Sequence, residues 1–112
     1  MRHWAEKIAC ETLQQKGLQL IAHNFSTALG EIDLIMQDGS TLVFIEVRQR
    51  SSAAYGLAEE TIGHRKQEKI RRVADQFLQR KSKGYDQQCR FDVFAVNGDQ
   101  TKKTIRWIKS AF

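Results

Sequence analysis

Three carboxylates interrupt two otherwise apolar runs in GEIDLIMQDGSTLVFIEVRQR, residues 30–50: Glu31, Asp33 and Glu46. The runs of Ile, Leu, Val and Phe on either side of Asp38-Gly39 predict two strands joined by a turn. Side chains alternate along a strand. Ile32, Leu34 and Met36 therefore share one face with Val43, Ile45 and Val47. Glu31, Asp33 and Ile35 share the other with Leu42, Phe44, Glu46 and Arg48. A two-residue loop at Asp38-Gly39 sets Glu31 opposite Glu46, with Asp33 diagonal to it. A four-residue loop sets Asp33 directly opposite Glu46. Both registers put Asp33, Glu46 and Arg48 on one face, whereas a three-residue loop does so only with a bulge. Opposed carboxylates repel, and half-burying them costs more unless a cation lies between them. Two chemistries meet that need. Arg48 can form a plain salt bridge on an exposed sheet face, the ordinary fate of such charges. Alternatively, Asp33, Glu46 and nearby oxygens can hold a divalent metal, because hard cations take carboxylates, backbone carbonyls and water.

The flanking elements decide what else reaches this face. Residues 3–16 have helical spacing, with Trp4, Ala5, Ile8, Ala9 and Leu13 on one stripe and Gly17 as a C-terminal stop. At about 100° per residue, Glu6 falls beside Leu13 at the flank of that stripe, where it can meet a sheet edge. Residues 18–25 read as a strand and 26–29 as a turn into Gly30. SSAAYG, residues 51–56, is a small polar loop, and residues 58–63 are ambiguous. From His64 to about Arg80, Ile70, Val73, Ala74, Phe77 and Leu78 recur at helical spacing. A loop over 82–88, a strand CRFDVFAV, a turn at NGD and a last strand or terminal element IRWIKSAF complete the chain. The order is α-β-β-β-α-β plus one element, an α/β fold with a mixed sheet and helices packed on it.

A chain of 112 residues makes one domain, residues 1–112, with a single core. Its 18 Lys and Arg against 13 Asp and Glu lean toward polyanionic partners. No apolar run approaches the ~18 residues of a membrane span, and the N-terminus lacks the apolar core of a signal peptide. The expectation is a cytoplasmic protein without a membrane partner. Cys10 and Cys89 form no CxxC or Cys/His cluster, so zinc is not expected and the thiols read as packing groups. His3, His23 and His64 lack ligand spacing, and Trp4 and Trp107 read as core.

Asp33 followed by Glu46-Val47-Arg48 resembles the PD-(D/E)XK nuclease signature. More closely, HNFSTALGEIDLIMQDGSTLVFIEVRQRSSAAYG, RKQEKIRRVADQFL and CRFDVFAV followed by IRWIKSAF resemble the YraN-like family of small predicted endonucleases. That family is similar in turn to archaeal Holliday-junction resolvases. The resemblance covers nearly the whole chain. It implies a restriction-endonuclease-like α-β-β-β-α-β core and a nuclease dependent on Mg2+ or Mn2+. It also implies that Asp33 and Glu46 are metal-binding carboxylates, with the Val47 carbonyl and Glu6 completing the set. Glu31 matches the GEID pattern as a structural or supporting group.

One position departs from the signature, which has Lys where this chain has Arg48. Arginine keeps its charge, with a pKa above ~12, so it can stabilise charge but not act as a base. Lys66 is a candidate substitute, four residues before Ile70, set against a plain reading as part of a solvated basic helix face. Gln67, three before Ile70, is the other residue near enough to reach the site. Arg50, Arg65, Lys69, Arg71 and Arg72 suit phosphate contacts, and Tyr55 suits stacking on a base or packing in the fold. Nucleic acid is the expected partner, DNA ahead of RNA, and a homodimer is an assembly open to the chain. The expected function is metal-dependent phosphodiester hydrolysis of the endonuclease type on branched or single-stranded DNA or on RNA. The alternatives are a catalytically impaired nucleic-acid-binding protein on the same fold, and a protein–protein scaffold whose hairpin charges form only salt bridges.

Overall fold

The computed structural model describes residues 1, 3–52, 54, 56–60, 62–81 and 86–112. The first helix, α1, runs Trp4–Gln15. His3 caps it, with Nδ1 accepting the Ala5 N–H at 3.1 Å, and Gly17 at φ 97° ends it in the left-handed conformation that glycine adopts without strain. A five-stranded sheet follows in chain order: β1 Gln19–Thr27, β2 Gly30–Asp38, β3 Thr41–Arg50, β4 Cys89–Gly98 and β5 Lys103–Ile108. The second helix, α2 at His64–Leu78, connects β3 to β4. A parallel pair needs such a crossover, and β3 with β4 is the parallel pair, the other neighbours being antiparallel. The fold is α/β with a mixed sheet and two helices, consistent with the α-β-β-β-α-β core read from the sequence, and β5 is the added element.

The helices cover opposite faces. Ala5, Ala9, Cys10 and Leu13 of α1 pack on Leu34, Met36, Val43, Ile45, Phe94 and Val96. Ile70, Val73, Ala74, Phe77 and Leu78 of α2 pack on Ile32, Ile35, Leu42 and Phe44. With both faces covered, the central strand β3 is buried without a break from Leu42 to Glu46. Trp4 and Trp107 are half-buried against the α1 cluster. Both cysteines are free, Cys10 buried and Cys89 half-buried.

Several local expectations shift. The first strand extends two residues further than read, to Thr27. The hairpin turn is Gly39-Ser40, one residue later than the Asp38-Gly39 signal, because Asp38 still pairs with Thr41. That register runs in the direction that sets Asp33 opposite Glu46. Ile32 belongs to the α2 face with Ile35, not to the α1 face with Leu34 and Met36. Simple alternation fails there, next to where β1 carries Asn24 at φ 49° between the pairs His23↔Leu34 and Phe25↔Ile32.

Candidate metal centre

Strands β2 and β3 part company at the site. Their pairing runs from Asp38↔Thr41 to Leu34↔Ile45 and stops. Beyond it β2 continues along β1 to Gly30, while β3 continues along β4 to Arg50↔Asn97. Asp33 and Glu46 are the next residues on the two arms, so they stand in the mouth of the fork. The Val47 N–H, just past the end of the ladder, donates to Asp33 Oδ2 at 2.8 Å. A side-chain carboxylate there takes the part of a strand carbonyl, and this fixes how Asp33 points.

Two cavities meet at these carboxylates. On the α2 side a cavity of about 520 Å³ is lined by Gly30, Glu31, Asp33, Glu46, Arg65, Lys66, Lys69 and Ile70. On the α1 side one of about 280 Å³ is lined by His3, Ala5, Glu6, Asp33, Glu46, Val47 and Gln49. Glu6 and Glu46 are each only 9% exposed. Glu46 Oε1 lies 3.0 Å from Lys66 Nζ, so the cation beside this carboxylate comes from α2. Asp33 is pushed up to about 7, first by burial, then by the charge of Glu46, with a smaller push from Glu6; the Val47 hydrogen bond and Lys66 oppose this. Burial beside Glu46 thus favours the protonated form of Asp33, a cost that a bound cation would relieve.

The donor set matches a hard divalent cation in kind: three carboxylates and the Val47 backbone around one junction. The carboxylates are not already drawn round an ion. Among the described residues no three His, Cys, Asp or Glu side chains form a ready-made ligand group. A proton on Asp33 and the ammonium of Lys66 share the neutralising role. The residues fit a metal by chemistry, and an ion here would compete with a proton for Asp33 and with Lys66 for Glu46.

The remaining candidates divide. Arg65, Lys66 and Lys69 are brought together along the α2-side cavity. Arg48 makes its contact elsewhere, with Nη1 donating to the Glu60 carbonyl at 2.5 Å, so it ties down the segment before α2. Gln67 Nε2 donates to the Ile62 carbonyl at 2.8 Å and secures the entry to the same helix. Arg71 places its guanidinium over the rings of Phe91 and Phe112, at 4.8 and 5.4 Å. Arg72 is exposed on α2, Arg50 is half-buried at the end of β3, and Tyr55 lies outside the described residues. One participant has no counterpart among the sequence candidates: Asn24, whose Nδ2 donates to Glu6 Oε1 at 3.0 Å and to Glu31 Oε1 at 3.4 Å. The available signal was its residue type, since asparagine is a poor strand former and tolerates positive φ.

The model of the uncharacterised protein family UPF0102 matches residues 5–96. A UPF0102 protein of Pseudomonas syringae pv. syringae (strain B728a) is 45% identical over 109 residues, covering 96% of this chain and 89% of the relative. One of Stutzerimonas stutzeri (strain A1501) is 43% identical over 108 residues, covering 96% and 90%. One of Francisella tularensis subsp. tularensis (strain WY96-3418) is 44% identical over 109 residues, again covering 96% and 90%.

Proposed function

We propose that this chain, which belongs to the uncharacterised protein family UPF0102, is a metal-dependent endonuclease-type phosphodiester hydrolase acting on nucleic acid, DNA ahead of RNA. The observation that carries the reading is the fork: Asp33 and Glu46 held together where two strands separate, with a helix lysine 3.0 Å from Glu46. The resemblance to the PD-(D/E)XK signature supports the same reading. Asp33 and Glu46 would hold Mg2+ or Mn2+, with Glu6 and the Val47 carbonyl on the α1 side. Once bound, the ion supplies Lewis acidity at a phosphate oxygen. Asp33 must give up its proton to join this set. Lys66, 3.0 Å from Glu46, would stand beside a phosphate held there, where its amine could neutralise developing charge and orient the attacking water. Arg65 and Lys69 grip neighbouring phosphates on the open side.

A second reading is favoured by one observation. Arg48 holds the position of the signature lysine, and its guanidinium is engaged by the Glu60 carbonyl. With the signature amine missing, the protein would bind nucleic acid without cutting it. One experiment separates the two: manganese-dependent cleavage of branched DNA, single-stranded DNA and RNA, with binding to each measured alongside. The hydrolase reading expects cutting by the wild type, none by Asp33→Asn with Glu46→Gln, and a loss of about a hundredfold in Lys66→Ala, the scale of one acid–base group. Binding without cutting, with cleavage appearing in Arg48→Lys, makes the impaired binder the correct account. Absence of both binding and cutting in low salt rejects both.

A further inference from the structure

Asn24 stands in β1 between the pairs that flank Asp33, and its backbone is in the left-handed region at φ 49°. Among non-glycine residues asparagine accepts this conformation with little penalty, and such positions concentrate where a side chain must be aimed. The aim is visible in the contacts. His23 Nδ1 lies 3.1 Å from Asn24 Oδ1, which places the amide oxygen on the histidine side. The amide nitrogen then faces the acidic side and donates to Glu6 and Glu31 together. Glu31 is held from its other oxygen by Ser26 Oγ at 2.9 Å. Glu6 comes from α1 and Glu31 from β2, and one amide spans them.

We infer that Asn24 is a positioning residue for the metal centre: its amide ties the α1 carboxylate of Glu6 to the β2 edge, so that Glu6 faces Asp33 and Glu46 before any ion arrives. This rests on the metal-site reading above. An amide N–H is suited to the task because it neutralises no charge. It orients the Glu6 carboxylate without itself bringing a positive charge to compete with a cation. Partners that orient ligands in this way set metal affinity as the ligands themselves do, and losing one costs roughly ten- to a hundredfold.

The test is calorimetric titration of Mn2+ into the full chain, with thermal melting of the metal-free protein beside it. Asn24→Gly removes the amide and keeps the left-handed backbone, since glycine adopts positive φ freely. Its expected effect is about a tenfold loss of Mn2+ affinity. In a Glu6→Gln background the same change should cost less than about twofold, because the group being oriented has gone. A merely structural asparagine would cost the same in both backgrounds. Wild-type affinity in Asn24→Gly, or an equal loss with and without Glu6, overturns the positioning role while leaving the site intact. Absence of Mn2+ binding by the wild type overturns the site itself and the role with it. Comparing the wild type with Asn24→Gly thus separates the two failures.

Discussion

Asp33 meets opposing demands from its surroundings. Burial and the charge of Glu46 favour its proton, while the Val47 N–H favours the carboxylate. The consequence for stability has a definite sign. The ordinary value is 3.8 and the folded value about 7, so between them the native protein keeps a proton that the unfolded chain has released. Stability of the metal-free protein should therefore fall as pH rises through that window. Asp33→Asn keeps an oxygen for the Val47 N–H and cannot ionise. It should abolish this fall and gain about 2 kcal/mol at pH 8 after allowance for solvent screening. Denaturant melts of both proteins at pH 5 and pH 8 test this, and parallel pH profiles would contradict the folded-state shift of Asp33. Mn2+ affinity should move the opposite way with pH, since the ion competes with that proton.

At the scale of elements, α2 begins unusually. Gly63 offers no side-chain cap, and the first turn carries His64, Arg65 and Lys66 without an acidic residue. Cations at the positive end of a helix dipole cost stability unless an anion lies nearby. Glu46 lies beside Lys66 and Glu68 beside His64, but no ion pair to Arg65 is seen among the described residues. An approaching phosphate chain would answer the rest. The salt dependence of nucleic-acid affinity, measured by fluorescence anisotropy, should therefore reside in Arg65 and Lys69. Replacing both with alanine should reduce the slope of log affinity against log salt by about 1.4 to 1.8. Arg71→Ala should leave the slope unchanged, because that guanidinium lies on Phe91 and Phe112. Equal slopes in all three proteins would remove this cavity from the binding surface. Much of the element layout was legible in the sequence. Apolar periodicity marks both helices, and Gly17 marks the end of α1. What escaped depends on contacts across the sheet. Alternation placed Ile32 on the wrong face because the face a strand residue takes near the end of its pairing is set by its neighbours and not by its own sequence. It likewise grouped Arg48 with Glu46 by parity, while the reach of a long side chain to the Glu60 carbonyl depends on a segment whose pattern is ambiguous.

For the whole molecule, one sheet joins two hydrophobic layers, and among the described residues neither layer has a second sheet to rest on. Damage to either should therefore appear in one shared transition. Leu13→Ala on the α1 side should cost about 2–5 kcal/mol and Phe77→Ala on the α2 side about 3–5 kcal/mol. Each should shift a single cooperative unfolding curve. Trp4 and Trp107 both lie on the α1 side, so tryptophan fluorescence reports that layer while circular dichroism reports both. Diverging curves from the two signals in Phe77→Ala would mean that the layers melt separately.

The topology also orders the site in time. The strand carrying Asp33 meets the strand carrying Glu46 through a tight turn, whereas β3 meets β4 only after the whole α2 crossover has been made. Contacts near in sequence form before distant ones. A chain emerging from the ribosome can thus bring its two central acids together while Lys66 is still unplaced. A hairpin formed in that interval would hold the acidic pair in water without its amine, with solvent and dissolved cations in its stead.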